Sequence, residues 1–95
     1  MAPLSKTIVD KKLSKTLQVW IDHLESIRGY GINTLNAYQR DVLDFIKFCE
    51  TKKYDALSPD KYIIRDYLFK LSERKLSRPT VARRISSLKN FFKFL

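Results

Sequence analysis

The sequence predicts an all-α protein that folds as a single four-helix bundle. Only two glycines and three prolines occur among its 95 residues, which is too little turn chemistry for a domain of many β-strands. Apolar residues recur every three or four positions in four separate stretches, which is the spacing of amphipathic helices. With 44% hydrophobic and 13% aromatic residues, the chain can bury these four apolar stripes against one another in one core.

Helix A is predicted to begin at Leu13, after a flexible arm over residues 1–12 that shows no sustained periodicity. Gly29 and Gly31 then provide a left-handed stop. The domain proper is therefore predicted over residues 13–95. The apolar stripe of helix A consists of Leu17, Trp20, Ile21, Leu24 and Ile27.

Helix B is predicted between an N-cap at Asn33 and about Lys52, because an asparagine side chain can accept a hydrogen bond from a free amide of the first turn. Its apolar stripe consists of Leu35, Tyr38, Val42, Phe45, Ile46 and Cys49. We expect the Cys49 thiol to pack in this stripe as a small hydrophobic group.

Helix C is predicted from Ser58, a capping residue that is followed by Pro59 at the first helical position. The apolar periodicity continues to about Glu73. Its stripe consists of Ile63, Ile64, Tyr67, Leu68 and Leu71.

Helix D is predicted to open at Ser77 or Arg78, with Pro79 in the first turn, where a missing amide proton costs nothing. Its apolar stripe consists of Val81, Ile85, Leu88, Phe92 and Leu95. The chain stops in mid-helix at "NFFKFL", without a capping glycine or a polar tail, which indicates a cut end.

The net charge of +9 and the pI of about 9.9 indicate an anionic partner, with nucleic acid the first candidate and a membrane surface the second. No membrane partner is predicted, because the shared core already accounts for the apolar face of each amphipathic helix. No apolar run approaches the roughly 20 residues that cross a bilayer, and the N-terminus lacks the apolar region of a signal peptide, so a cytoplasmic protein is expected. His23 and Cys49 are the single histidine and cysteine. No catalytic, cofactor-binding or metal-binding site is therefore predicted.

The placement of basic residues on helical wheels favours double-stranded DNA as the partner. Opposite their apolar stripes, helices B and D carry arginine, lysine, serine, threonine and asparagine, the side chains that bind phosphates and base edges. Asp44 weakens this prediction for the far half of helix B. The candidate DNA-binding residues are Thr34, Asn36, Arg40, Lys47, Arg78, Thr80, Arg83, Ser87, Asn90 and Lys93.

The alternative is a helical protein-interaction module whose basic faces serve only solubility. A run of like charges is more often a solvated face than a binding site. Phe91 and Phe94 lie off the predicted stripe of helix D. We expect them either in the core or on a surface that meets a partner helix.

Two segments resemble the N-terminal core-binding domain of tyrosine recombinases, most nearly those of the Xer type. They are "NTLNAYQRDVLDFIKFC" in helix B and "LSRPTVARRISSLKNFFKFL" in and before helix D, and the resemblance covers about residues 13–95. It implies an orthogonal-type, SAM-like four-helix bundle that covers one side of a recombination half-site, with helices B and D facing the major groove. Carried over by position, the contacts would come from Thr34, Asn36, Arg40, Arg78, Thr80, Arg83 and Ser87.

The resemblance implies sequence-specific DNA binding within a site-specific recombinase, which resolves chromosome dimers or integrates mobile DNA in a synaptic tetramer of protomers. In that family a C-terminal catalytic domain carries arginines, a lysine, histidines and the nucleophilic tyrosine. With His23 as its single histidine, this chain cannot assemble that set. The catalytic domain is therefore expected to be absent from this chain, which should bind DNA without cutting it.

Overall fold

The computed structural model describes the backbone of residues 3–95 and the side chains of residues 12–95. No strand occurs within the described residues, and the predicted all-α class is confirmed. The four helices are α1 (Pro3–Ser26), α2 (Ile32–Lys52), α3 (Lys61–Glu73) and α4 (Arg78–Phe94). The chain divides into two compact units, of which the first ends at Gln39 and the second spans Arg40–Leu95.

Helix α1 begins at Pro3, well before the start predicted at Leu13. Its helical backbone therefore enters the segment for which the sequence predicts an arm, and the division of the chain into an arm and a domain stays a prediction. Residues 1–2 of that arm lie outside the described residues.

The end of α1 follows the chemistry of a left-handed cap. After Ser26, Gly29 adopts a φ of +68°, a conformation that glycine reaches without a Cβ penalty, and the predicted stop is confirmed. The Tyr30 amide donates to the Leu24 carbonyl at 3.2 Å and satisfies one acceptor at the helix end. Ile27, predicted to be in the apolar stripe, is 70% exposed because it follows the last helical residue.

The first unit contains a stripe of buried α1 side chains and a small aromatic cluster. The rings of Trp20 and Tyr38 stack with centroids 6.2 Å apart, and Tyr30 meets Tyr38 edge-on at 5.7 Å. Such offset and edge-on pairs add to the stabilisation from burial alone. The buried α1 residues are Leu13, Leu17, Trp20 and Leu24.

Helix α2 begins at Ile32, one residue before the N-cap that the sequence predicts at Asn33. The Gly31 carbonyl accepts a hydrogen bond from the Leu35 amide at 3.0 Å. Gly31 therefore opens the helix, and the predicted cap at Asn33 is wrong. Glycine is among the residues commonly found at this position.

The ends predicted for helices B and C, at Lys52 and Glu73, are confirmed. Beyond α2, Lys53 adopts a φ of +62°, and the Tyr54 amide donates to the Cys49 carbonyl at 2.8 Å. This is the hydrogen bond of a Schellman-type end, made here by a lysine in the place where glycine is more common.

Asp60 caps the N-terminus of α3, and the cap predicted at Ser58 is wrong. The Asp60 carboxylate accepts hydrogen bonds from the amides of Tyr62, at 2.9 Å, and Ile63, at 3.0 Å. One carboxylate satisfies two free amides and also interacts favourably with the positive end of the helix dipole. Pro59 consequently lies in the preceding loop, outside the first helical turn.

Aromatic side chains fill the core of the second unit. The centroid of the Phe45 ring lies 5.1 Å from that of Tyr67 and 5.3 Å from that of Phe92. The ring centroids of Phe48 and Tyr67 are 5.2 Å apart. Tyr67 and Leu71 are the buried residues of α3. The other positions of the stripe predicted for helix C lie closer to solvent: Ile63, Ile64 and Leu68.

Helix α4 opens at Ser77, as predicted, with Pro79 in its first turn. The Ser77 hydroxyl oxygen accepts from the Thr80 amide at 3.3 Å. It also donates to the Thr80 hydroxyl at 2.8 Å, so the two side chains close the first turn together.

The buried face of α4 is displaced around the helix from the apolar stripe that the sequence predicts. Its buried residues are Ser87, Leu88 and Phe91. Of the predicted stripe, all of which the structure describes, Leu88 alone is buried, and Leu95 is exposed. Phe91 belongs to the core, so the alternative of a partner-binding surface is wrong for this residue. Phe94 is half-buried.

Asp60→Ala is expected to lower the free energy of unfolding by about 1 kcal/mol, because two amides lose their acceptor. Ser58→Ala is the matched control at the position that the sequence favours, and we expect it to cost less than about 0.5 kcal/mol. Urea unfolding followed by circular dichroism measures both variants. Equal losses would contradict the assignment of the cap to Asp60.

Candidate nucleic-acid interface

Asp41 on α2 holds α4 through three hydrogen bonds. Its buried carboxylate accepts two from the Arg83 guanidinium, from Nε to Oδ2 and from Nη2 to Oδ1, both at 2.9 Å. The Ser87 hydroxyl supplies a third, whose single proton is shared between Oδ2 at 3.1 Å and the Arg84 carbonyl oxygen at 2.9 Å. Two parallel bonds fix the direction of a guanidinium as well as its position. Asp41 therefore sets which side of α4 turns toward α2.

Asp44, one helical turn further along α2, joins side chains from both α3 and α4. Its Oδ2 accepts from the Tyr67 hydroxyl at 2.6 Å, from Arg74 Nη1 at 2.7 Å and from Arg84 Nη1 at 3.0 Å. Arg84 Nε lies 3.9 Å from Asp41 Oδ1, so this guanidinium stands between the two carboxylates. Both acidic side chains are thus neutralised within the second unit.

The environment of Asp44 keeps its carboxyl group ionised. Burial alone raises the pKa of Asp44, but the hydrogen bonds from Tyr67 and Arg74 and the nearby charges of Arg74 and Arg84 outweigh it, so the pKa is lowered. The pKa of Tyr67 is raised, first by burial and then by its hydrogen bond to Asp44. At neutral pH the phenol therefore stays protonated and donates to a carboxylate.

Helix α4 presents to solvent a row of residues at helical spacing, which we call the α4 stripe. Its members are Arg78, Ala82, Ser86, Lys89 and Lys93, all exposed. From Arg74 to Leu95 the chain carries seven basic residues and no acidic one. No carboxylate of α4 itself therefore offsets the positive charge of this stripe.

Within the second unit, α2 presents a shorter row, the α2 stripe, which consists of Arg40, Leu43 and Lys47. All three are exposed, whereas Asp41 is buried and Asp44 is half-buried. Asp44 keeps 27% of its side chain exposed and pairs with Arg74 and Arg84. These arginines neutralise the Asp44 carboxylate. Its negative charge is therefore no longer a reason to doubt DNA contact by the far half of helix B.

Most of the residues predicted to contact DNA are accessible. The exposed ones are Thr34, Asn36, Arg40, Lys47, Arg78 and Lys93, and the half-buried ones are Thr80, Arg83 and Asn90. Ser87 is buried, and its predicted place on the outward face of α4 is wrong because its hydroxyl binds Asp41. The sequence does not single out Lys89, because the predicted apolar stripe places it near the edge of the core.

The environment of the Cys49 thiol is not that of a nucleophile. Cys49 is buried, as predicted, and burial raises the pKa of its thiol to about 12, so the thiolate is scarce at neutral pH. His23 is half-buried in α1. Within residues 12–95 no group of three or more histidine, cysteine, aspartate or glutamate side chains could hold a metal ion. None of the helices, over the part of the chain described, has the length and hydropathy of a membrane span.

Residues 17–95 match the family described as the phage integrase N-terminal SAM-like domain, and the chain belongs to this family. The match covers all of α2, α3 and α4 and the second half of α1. The predicted resemblance to the N-terminal domain of tyrosine recombinases is thereby confirmed. No solved structure matches the chain.

Curated relatives share the same region. The chain is 40% identical over 82 residues to Tyrosine recombinase XerC of Listeria monocytogenes serotype 4a (strain HCC23), which covers 85% of this chain and 27% of that protein. It is 34% identical over 82 residues to Tyrosine recombinase XerD of Bradyrhizobium diazoefficiens, which covers 86% of this chain and 26% of that protein. Tyrosine recombinase XerC of Leptospira interrogans is 33% identical over 86 residues, which covers 90% of this chain and 28% of that protein. The chain thus spans about a quarter of the length of these relatives.

Asp41→Ala is expected to lower the free energy of unfolding by about 2 to 3 kcal/mol, less than for a fully buried pair because the Arg83 side chain is 40% exposed. The double variant Asp41→Ala/Arg83→Met should be less destabilised than the sum of the single variants, since no guanidinium is left without its acceptor. Urea unfolding of the two single variants and the double variant measures this coupling. Strictly additive losses would contradict it.

Asp44→Asn is expected to destabilise the domain most above about pH 5, where the wild-type carboxylate is ionised. Because folding lowers the pKa of Asp44 below its ordinary value of 3.8, the stability that it contributes is lost as the pH falls through the folded pKa. The difference in the free energy of unfolding between wild type and Asp44→Asn should therefore shrink below about pH 3.8. Urea unfolding across the acidic range tests this, and a gap that stays constant to about pH 2 would refute it.

Proposed function

We propose that this domain binds double-stranded DNA. The observation that carries the proposal is the separation of charge in the second unit. Asp41 and Asp44 are turned inward onto arginines, while the α2 and α4 stripes leave lysine and arginine side chains in solvent. Neutralisation of phosphates by these cations releases counterions and drives binding. The net charge of +9 favours the same partner.

The exposed side chains divide into two chemical roles. Arg78, Lys89 and Lys93 are suited to phosphates, which anchor a helix on the duplex without selecting a sequence. Arg83 has the chemistry to bind a guanine edge, and its pairing with Asp41 holds the guanidinium in one direction. Ser87 is buried against Asp41, so we assign it a supporting role in α4 and no direct contact.

We infer further that the domain acts within a site-specific tyrosine recombinase. The relatives named Tyrosine recombinase XerC and XerD support this inference, and this chain matches about a quarter of their length. The catalytic groups and the contacts among protomers would then lie largely in the other three quarters. Resolution of chromosome dimers and integration of mobile DNA are the two tasks that such a recombinase could serve.

A protein-interaction role is the second candidate, and α3 is the observation that favours it. Tyr62 and Phe69 are 66% and 64% exposed, and their spacing places both opposite the buried Tyr67. Large exposed aromatic side chains are common at protein interfaces. This rival predicts that DNA affinity is negligible and that the basic stripes serve only solubility.

Fluorescence anisotropy of a labelled duplex, titrated with the 95-residue chain at several salt concentrations, separates the two candidates. If about five phosphates are contacted, the logarithm of the affinity should fall against the logarithm of the salt concentration with a slope of about −4 to −5. Lys89→Ala should reduce the size of this slope by about 0.9 and weaken binding to all duplexes alike.

Lys70→Ala is the matched control, since it removes an exposed lysine from α3 and leaves both stripes intact. An equal change of slope in Lys70→Ala would mean that net charge matters and the α4 stripe does not. Absence of duplex binding at low salt would reject the DNA proposal and favour the protein-interaction role. Tighter binding to a selected duplex than to its scrambled version would establish sequence preference.

A further inference from the structure

Leu43 is an outward-facing aliphatic side chain in the middle of the basic α2 stripe. It is 37% exposed, and its helical neighbours three residues before and four residues after are the exposed Arg40 and Lys47. The other large aliphatic and phenylalanine side chains of α2 from residue 35 onward are buried: Leu35, Val42, Phe45, Ile46 and Phe48. Leu43 therefore keeps more than a third of its surface in solvent, unlike the core residues of the same helix.

If the α2 stripe contacts a DNA duplex, an aliphatic side chain in this position can contact an apolar group on a base edge. Arg40 and Lys47 can each bind a phosphate, but Leu43 has no group that a phosphate would bind. In the major groove the apolar feature of the base edges is the 5-methyl group of thymine, which marks one base pair among four. A side chain between two backbone-binding cations on one helix face lies where it can meet base edges.

We propose that Leu43 contacts the 5-methyl group of a thymine and thereby gives the domain a preference for that base at one position of its site. The inference rests on the proposed DNA binding by α2. Removal of one methyl group from an apolar contact should weaken binding about four-fold. Because the contact is apolar, this factor should stay the same at every salt concentration, although the total affinity falls as salt rises.

The experiment uses deoxyuridine, which differs from thymidine only by the missing methyl group. A duplex recovered by selection with the 95-residue chain from a random pool is resynthesised with each thymine replaced singly, and anisotropy gives each affinity. For the wild-type chain we expect about a four-fold loss at one position. Leu43→Met should keep this dependence, whereas Leu43→Gln, which has similar size and helix propensity, should abolish it.

Leu68→Ala is the control variant, because Leu68 is 36% exposed and lies on α3, so it is not a member of the α2 stripe. It should retain the methyl dependence of the wild-type chain. Thermal unfolding by circular dichroism verifies that each variant is folded, and Leu43→Ala replaces Leu43→Gln if the latter does not fold.

The outcomes distinguish this inference from the proposed function on which it rests. If the wild-type chain binds DNA but is indifferent to every thymine methyl, the assignment of Leu43 is overturned and the DNA binding stands. The same conclusion follows if Leu43→Gln keeps the full methyl dependence. If the wild-type chain binds no duplex at low salt, the proposed function is overturned and this inference with it.

Discussion

Two carboxylates, one helical turn apart on α2, determine how α4 is rotated in the second unit. Asp41 binds Arg83, and Asp44 binds Arg84, the next residue of α4. An acidic group that is taken out of water is strongly unfavourable unless cations and hydrogen bonds compensate it. Helix α4 therefore packs in the rotation that delivers both adjacent arginines to α2. In this rotation Phe91 lies in the core.

The same ion pairs decide which charges remain for a partner. Of the seven basic residues between Arg74 and Leu95, three bind the carboxylates of α2 and contribute to the fold. A count of basic residues in the sequence therefore overstates the number of cations that face outward. At the same time, the pairs neutralise Asp41 and Asp44, two of the three acidic side chains of α2, beside the surface that would meet phosphates. The excess of positive charge on this surface is thus a consequence of how the polar groups between α2 and α4 are satisfied.

The features that sequence reasoning predicts well are those that depend on chemistry within one helical turn. Gly29 ends α1 because its missing Cβ permits a positive φ, and Ser77 opens α4 because its hydroxyl accepts a free amide. The apolar periodicity also locates the last residues of α2 and α3. Sequence reasoning fails where several residues compete for one local role. Ser58 and Asp60 are both good caps, and the carboxylate prevails because it serves two amides at once.

The sequence by itself determines the all-α class, the approximate positions of four helices, the basic character and the family to which the chain belongs. Tertiary structure decides which faces of those helices are buried. A helical wheel uses only the apolar side chains within one helix and does not include interactions with residues 40 or more positions away. Arg83 lies 42 positions from Asp41 and binds it with two hydrogen bonds. Pairs of this kind turn Ser87 inward and leave Lys89 outward. The candidate interface therefore follows from ion pairs between helices, which no local pattern in the sequence records.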